Sequence, residues 1–361
     1  MKLTICGDVC PAYANDLFVR KDVKTLFNRV PEIWRESNGV LVNLECTLTE
    51  GGRAIEKFGP NLKASPVCAE VLADIGVTAC AISNNHIFDL GEEGVRDTLR
   101  ALNRAGLAWT GFGEDYEDAR TELIFDEDGD TAIIAVCEHE YCYALEDRMG
   151  ARPFHVYDTM ADIRRAKRDH EHVIVLYHGG KEQSVYPSPR LRRLCQEMVD
   201  NGADLVTCQH SHCIGCQEVY HGGHIVYGQG NFHFVNMFPD HPHWQNGLIL
   251  QVELGETLSV EYVPVVVRNH GIDLAEGAEK QSILDGFAAR SADLQTDVWL
   301  EDWRQFCRDS RPVYENAIKY ACTDQSTDRQ NELFAHYLYC EAHRDVLEEL
   351  FKLSWETRAE P

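Results

Sequence analysis

Six short segments, spread over more than 200 residues, concentrate side chains able to hold a divalent cation: Gly7-Asp8, Asn43-Leu44-Glu45, Asn84-Asn85-His86, His178-Gly179-Gly180, Gln209-His210-Ser211-His212 and Gly230-Asn231-Phe232. Carboxylate and amide oxygens mixed with imidazole nitrogens suit manganese, iron or zinc rather than calcium, which prefers oxygen alone. Glu45 closes the apolar run Val40-Leu-Val-Asn-Leu-Glu45, and a carboxylate buried there is costly unless a cation or hydrogen bonds compensate it. His210 and His212 would point the same way from an extended backbone, so both could reach one metal cluster. A lone histidine is more often a satisfied core residue. Four of them at strand ends, His86, His178, His210 and His212, together with two acids and an amide, favour a metal site.

Groups so far apart in sequence meet only if a sheet gathers them, and most follow an apolar run, as at the carboxyl edge of an open α/β sheet. Leu3 to Cys6, Val40 to Leu44, Val77 to Ile82, Thr131 to Cys137, Val173 to Tyr177 and Leu205 to Cys208 read as buried strands. Helical spacing marks Asp22 to Glu36, Pro66 to Ile75, Glu93 to Ala105, Thr159 to His170 and Pro189 to Asn201, with Gly76, Gly106 and Gly202 placed to end three of these helices. Beyond residue 203 the pattern predicts two hairpins, one turning at Gly222-Gly223 and one at Gly255-Glu256. From about Asp273 it is helical to the end, with Trp299, Trp303, Phe306 and Tyr337 on apolar faces. This tail carries only His336 and His343 and no glycine-bearing motif, so it reads as a helical appendage on the catalytic body or as an oligomer contact.

At 361 residues, 44% hydrophobic and 26% charged, the chain has the composition of an ordinary globular protein, with room for two domains or one with an appendage. Its formal charge of −25 argues against a nucleic-acid backbone or an anionic membrane as the main partner. The basic runs Arg164 to Arg168 and Arg190 to Arg193 read as solvated helix faces. The first residues are already shaped like a strand, and no run approaches the roughly 18 apolar residues of a membrane span. A cytoplasmic location is therefore expected, with the 14 cysteines reduced. Cys213-Ile-Gly-Cys216, with Cys208 nearby, lacks a second such pair and reads as buried thiols rather than half a zinc site. Glu114 to Asp118 and Asp126 to Asp130 lack the spacing of a calcium loop and read as acidic turns.

Taken in order, Gly7-Asp8, Asn43-Leu-Glu45, Asn84-Asn-His86 with Phe88-Asp-Leu-Gly91, His178-Gly-Gly-Lys-Glu182, Gly202-Ala-Asp-Leu-Val206 with His210-Ser-His212, Gln217-Glu-Val-Tyr220 and Ile225-Val-Tyr-Gly-Gln-Gly-Asn-Phe232 resemble the CapA-type capsule (poly-γ-glutamate) synthesis protein family. The likeness covers roughly residues 1 to 268. That family is similar to the calcineurin-like metallophosphoesterases. The resemblance implies an α/β fold, a four-layer α/β/β/α sandwich over residues 1–270, followed by a helical C-terminal region, 271–361.

The same resemblance implies one or two divalent metal ions, manganese, iron or zinc. Asp8 would bind the first, Glu45 would bridge, Asn85, His178 and His210 would hold the second, and His212 would complete the first. His86 would face the substrate as a proton donor or a stabiliser of charge, with Asp89 fixing its tautomer. Asn84, Glu138, His139, Glu182 and Asn231 are candidate substrate contacts. Two positions depart from the phosphoesterase pattern. Asp8-Val-Cys10 stands where Asp-x-His is usual, which either makes Cys10 a ligand for a soft metal or, in preference, leaves the first site weak and the enzyme effectively mononuclear, and Glu45 stands where Asp is usual. The implied function is a metal-dependent hydrolase, acting through metal-activated water on a phosphoester or on an amide of an anionic polymer or metabolite. The alternative is a non-catalytic polymer-binding component of capsule biosynthesis. An anionic small molecule or polymer is the expected partner, without nucleic acid or membrane, and a homo-oligomer could form through the C-terminal helices.

Overall fold

Side-chain parity along the strands decides the architecture. In Thr131–Cys137 every residue is buried, yet Ile133 and Ala135 face one core while Ala132, Ile134 and Val136 face another, as successive residues of a strand must. A strand apolar on both faces needs a cover on each side. The computed structural model, which describes residues 1–125 and 130–359 with side chains to Lys352, supplies both covers. The acidic residues 126–129 lie outside the described residues.

Two sheets provide the strands. The first runs Gly271–Leu274, Ser259–Arg268, Asn246–Glu253, Lys2–Val9, Gly39–Leu44, Ala79–Ala81, Ala108–Thr110, with Asn231–His233 also paired to Lys2–Val9. The second runs Gln217–Tyr220, Gly223–Val226, Leu205–Gln209, His172–His178, Thr131–Cys137, Leu123–Ile124. Leu3, Ile5, Leu41 and Ala81 of the first sheet share a core with Ile133, Ala135, Ile174, Leu176 and Leu205 of the second. On the outer face of the first sheet, Val40, Val42 and Leu44 pack with Val71, Leu72, Val95 and Leu102 of the helices Val67–Asp74 and Gly91–Ala105. On the outer face of the second, Ile134, Val136, Val173 and Val175 pack with Met160, Ile163, Leu194 and Met198 of Val156–Asp169 and Pro189–Asp200. The layers are therefore helix, sheet, sheet, helix, the α/β sandwich expected from the sequence.

The central strands of each sheet run parallel, so their carboxyl ends share an edge. Register then aligns the polar residues there. Asp8 lies opposite Asn43 on one side and Asn231 on the other, and His178 lies opposite Cys137 and Gln209. Gly7 makes the first alignment possible, because a Cβ there would stand 2.5 Å from the carbonyl oxygen of Gly230.

Several elements differ from the sequence reading. The helix expected over Asp22 to Glu36 is a short helix, Val23–Phe27, and a 3-10 turn, Val30–Glu32. Asn28 breaks it at φ 43°, tied by its amide to the carbonyls of Thr25 and Ile272, and Pro31 follows. Gly271–Leu274 extends the first sheet, so the C-terminal helices begin at Gly277 rather than near Asp273. Arg190 and Arg192 are not merely solvated: Arg190 pairs with Glu138 and Asp345, and Arg192 with Glu218. All 14 cysteines are free, and Cys208, Cys213 and Cys216 are buried, as expected of structural thiols.

Four helices close the chain: Gly277–Asp293, Val298–Tyr320, Asp328–Tyr339 and Glu341–Ala359. The last three share a core of Trp303, Tyr314, Tyr337, Val346 and Leu350. Among the described residues no helix is long and apolar enough to cross a membrane.

Candidate metal centre

Asp8 and Glu45 are both wholly buried, but their surroundings differ. Asp8 is satisfied: Asn43 Nδ2 donates to Oδ1 at 2.7 Å and the backbone N–H of His210 donates to Oδ2 at 3.1 Å. Neither carboxylate oxygen of Glu45 has a hydrogen-bond partner. Burial, then the charge of Asp8, pushes its pKa well above the ordinary carboxylate range.

Three imidazoles surround these acids. His178 Nε2 lies 3.6 Å from Glu45 Oε1 and 3.1 Å from Asn85 Oδ1. His212 donates from Nδ1 to Asn231 Oδ1 at 2.9 Å, which fixes its tautomer and leaves Nε2 3.8 Å from Glu45 Oε1. His210 Nε2 lies 3.2 Å from Glu140 Oε1. Burial holds His178 well below the usual imidazole range and lowers His212, which keeps both in the neutral form a metal requires. Burial also pulls on His210, but the hydrogen bond and charge of Glu140 outweigh it and lift the ring to about 9.

The route by which His210 and His212 converge is not the expected one. The strand stops at Gln209, and both histidines take left-handed backbone, φ 83° and φ 53°. Such conformations cost about 1–3 kcal/mol each in a non-glycine residue and cluster at functional sites.

Donor atoms of Asp8, Glu45 and His178 lie within 4.8 Å of one another, and so do those of Glu45, His210 and His212. Glu45 belongs to both groups. Asp8 has both rings within reach, His212 Nδ1 at 3.5 Å from Oδ2 and His178 Nδ1 at 3.9 Å from Oδ1, and the His178 and His210 rings lie 4.9 Å apart. Cys10 belongs to neither group; it is buried in the helix-side core with Cys46 and Cys68. Two groups able to hold metal are therefore present without it. An unpartnered buried carboxylate beside a second acid and neutral imidazoles fits one or two borderline divalent cations.

A family model described as "Bacterial capsule synthesis protein PGA_cap" matches residues 2–236, in which all five of these donors fall. The chain belongs to this family. It is 27% identical over 245 residues to the capsule biosynthesis protein CapA of Bacillus anthracis, covering 65% of this chain and 60% of that protein. It is 27% identical over 241 residues to the PGA biosynthesis protein CapA of Bacillus subtilis, covering 65% and 63%. A probable polyglutamine synthesis accessory protein of Mycobacterium tuberculosis is 29% identical over 205 residues, 53% of this chain and 54% of that one. The match thus spans about 60% of the length of the two CapA relatives. Among solved structures, a hypothetical protein from Thermus thermophilus aligns with a TM-score of 0.40 and 12% identity, covering 73% of this chain and 99% of that one. The sulfate thiohydrolase SoxB of Thermus thermophilus aligns with a TM-score of 0.41 and 13% identity, covering 76% and 47%.

Of the grouped donors in this family member, His210 and His212 line a cavity of about 310 Å3. Asn85, His86, His210, His212 and Glu182 line it, with Glu182 at the exposed rim. His86 Nε2 lies 4.0 Å from Glu45 Oε1. Its Nδ1 is within reach of an acceptor, Asp89 Oδ2 at 2.6 Å, and of a donor, Lys57 Nζ at 3.1 Å. Burial and the Lys57 charge hold this ring below the usual imidazole range.

Other expected contacts are engaged elsewhere. Asn84 donates to Asn43 Oδ1 and the Leu44 carbonyl, and accepts from the His86 N–H, so it shapes the loop. Asn231 orients His212. Glu138, expected to meet substrate, accepts from Tyr177, Arg190 and the N–H groups of Gly180 and Ala342. A Cβ at Gly179 would strike that carboxylate at 2.6 Å. His139 is bonded to Glu341. It is Glu140, the next residue, that reaches the cavity, where it pairs with His210 and accepts from Asn85 Nδ2 at 3.0 Å. Lys57, Trp244, His336 and His343 also line the cavity and were not singled out. For His336 and His343 the available signal was their isolation, the sole histidines of the tail.

Proposed function

We propose that this protein is a metal-dependent hydrolase that cleaves a phosphoester or an amide in an anionic, carboxylate-bearing polymer or its fragments. The observation that carries the reading is Glu45, shared by two potential metal groups with both oxygens buried and unpartnered. Evolution of a pure binding surface has no use for a carboxylate in that state. The family relatives are named for capsule, PGA and polyglutamine biosynthesis, which supports an acidic polymer as the substrate class.

Asp8, Glu45, Asn85, His178, His210 and His212 would hold the metal. When bound, divalent cations polarise the scissile group and make hydroxide available near neutral pH. The chain's own part is proton handling. With Nδ1 accepting from the Lys57 ammonium, a neutral His86 presents Nε2–H toward the cluster; as Nε2 gives its proton to the leaving group, Nδ1 takes one from Lys57 and the ring stays neutral. With Nδ1–H donating to Asp89, the same ring presents a lone pair there and can take the proton back. Burial of His86 under the cavity loops keeps competing water away from that transfer.

The test is metal content by elemental analysis beside turnover of an aryl phosphodiester and a γ-glutamyl anilide with added manganese. The expected result is near two equivalents in the parent, loss of metal and turnover in His210→Ala/His212→Ala, and a fall of about 10²–10⁴-fold in kcat with metal retained in His86→Gln. Metal bound but no turnover of either substrate would move the assignment to a non-catalytic polymer-binding component.

A further inference from the structure

The cavity has a second half that the metal cluster does not use. Lys181, in the loop after His178, lines it together with His336 and His343 of the last two helices. The two rings meet edge to face, centroids 4.7 Å apart. His336 is stacked near Tyr141 at 5.3 Å and 19°, and near Phe58 at 6.3 Å and 26°, which fixes its plane.

These three groups share an unusual property. Among the described residues His336 makes no side-chain hydrogen bond, Lys181 makes neither an ion pair nor a hydrogen bond, and His343 uses only Nδ1, 2.7 Å from the Tyr314 hydroxyl. The chain holds 59 acidic against 34 basic residues, so an ammonium left unpaired in a cavity is informative. Of the neighbouring carboxylates, Glu140 is committed to His210 and Asn85, and Glu182, at the rim, feels the Lys181 charge without forming an ion pair with it. Convergent, uncommitted N–H donors with one fixed positive charge are what a carboxylate or phosphate group requires.

We propose that Lys181, His336 and His343 form a subsite for a second anionic group of the substrate, a carboxylate or phosphate set away from the bond that is cleaved. The subsite serves the hydrolase reading above, but anion binding itself does not depend on turnover. Both histidines lie beyond the matched residues 2–236, so the C-terminal helices select the substrate for a centre built by the family fold. The appendage is part of the recognition surface.

Calorimetric titration of the full-length protein as purified, with γ-glutamylglutamate and separately with inorganic phosphate, tests this. The parent binds at least one probe, and the tighter one tells carboxylate from phosphate. Lys181→Met, on a loop, and His336→Gln each weaken that binding about tenfold. No binding of either probe by the parent, or parental affinity in folded Lys181→Met, overturns the subsite. Since the readout is heat of binding, failure of the hydrolase reading would appear separately, as absent turnover in the parent.

Discussion

Glu341 accepts two hydrogen bonds from a residue 202 positions earlier, the backbone N–H of His139 at 2.8 Å and its ring Nδ1 at 2.7 Å. The adjacent N–H of Ala342 donates to Glu138 at 3.2 Å. The start of the last helix is thereby fixed to the end of the strand that delivers Glu140, which sets His336 and His343 over the metal-binding groups. Removing a buried charged acceptor costs about 2–3 kcal/mol. Glu341→Ala is expected to melt lower by that amount, to be cut faster by protease within the last two helices, and to raise KM while metal content holds. Parental melting and parental proteolysis would show that the contact does not secure the helices.

Glu45 gives a prediction whose sign depends on metal. An ionised carboxylate buried without a partner destabilises the metal-free fold, and its pKa is raised by burial and by Asp8. Glu45→Gln removes the charge at nearly constant volume, so the metal-free variant should be more stable than the metal-free parent by about 1–3 kcal/mol. With manganese at a hundred times its dissociation constant the parent gains about 2.7 kcal/mol and the variant does not. Adding metal therefore narrows the gap in melting temperature, and reverses the order where the metal-free gap is below about 2.7 kcal/mol. A variant that gains as much as the parent would remove Glu45 from the site.

How much of this was legible in the sequence follows from where each signal resides. Asp8, Glu45, His178 and His210 adjoin apolar runs, so strand ends and donors are read in one pass, and the parallel sheets do the gathering. Glu140 was hidden because the chain leaves the strand at Cys137, after which alternation no longer says which of Glu138, His139 and Glu140 turns inward. His336 and His343 were hidden for another reason. Their helices are ordinary amphipathic segments, and only contacts across the chain, such as His139 with Glu341, decide what they cover. Asn28 defeated the helix expected around it because its left-handed backbone answers to a carbonyl at Ile272, far away in sequence.

The second tie of the last helix titrates. Asp345 accepts from Arg190 Nε at 2.7 Å and from the Ser188 hydroxyl, yet burial dominates and lifts its pKa to about 6. The unfolded value is about 3.9, so between pH 4 and 6 the folded state holds the proton more tightly. The contribution of this group to stability is therefore complete below about pH 4 and is lost as pH rises through 6, in all about 2–3 kcal/mol. Asp345→Asn keeps an acceptor for Ser188 and leaves Arg190 its partner Glu138. The variant should match the parent near pH 4 and melt higher than the parent at pH 7.5, a difference that chemical denaturation across that range would measure. If it melts lower at every pH, the ion pair with Arg190 outweighs the cost of burying the charge, and the anchoring of the helix over the cavity is electrostatic rather than a matter of packing.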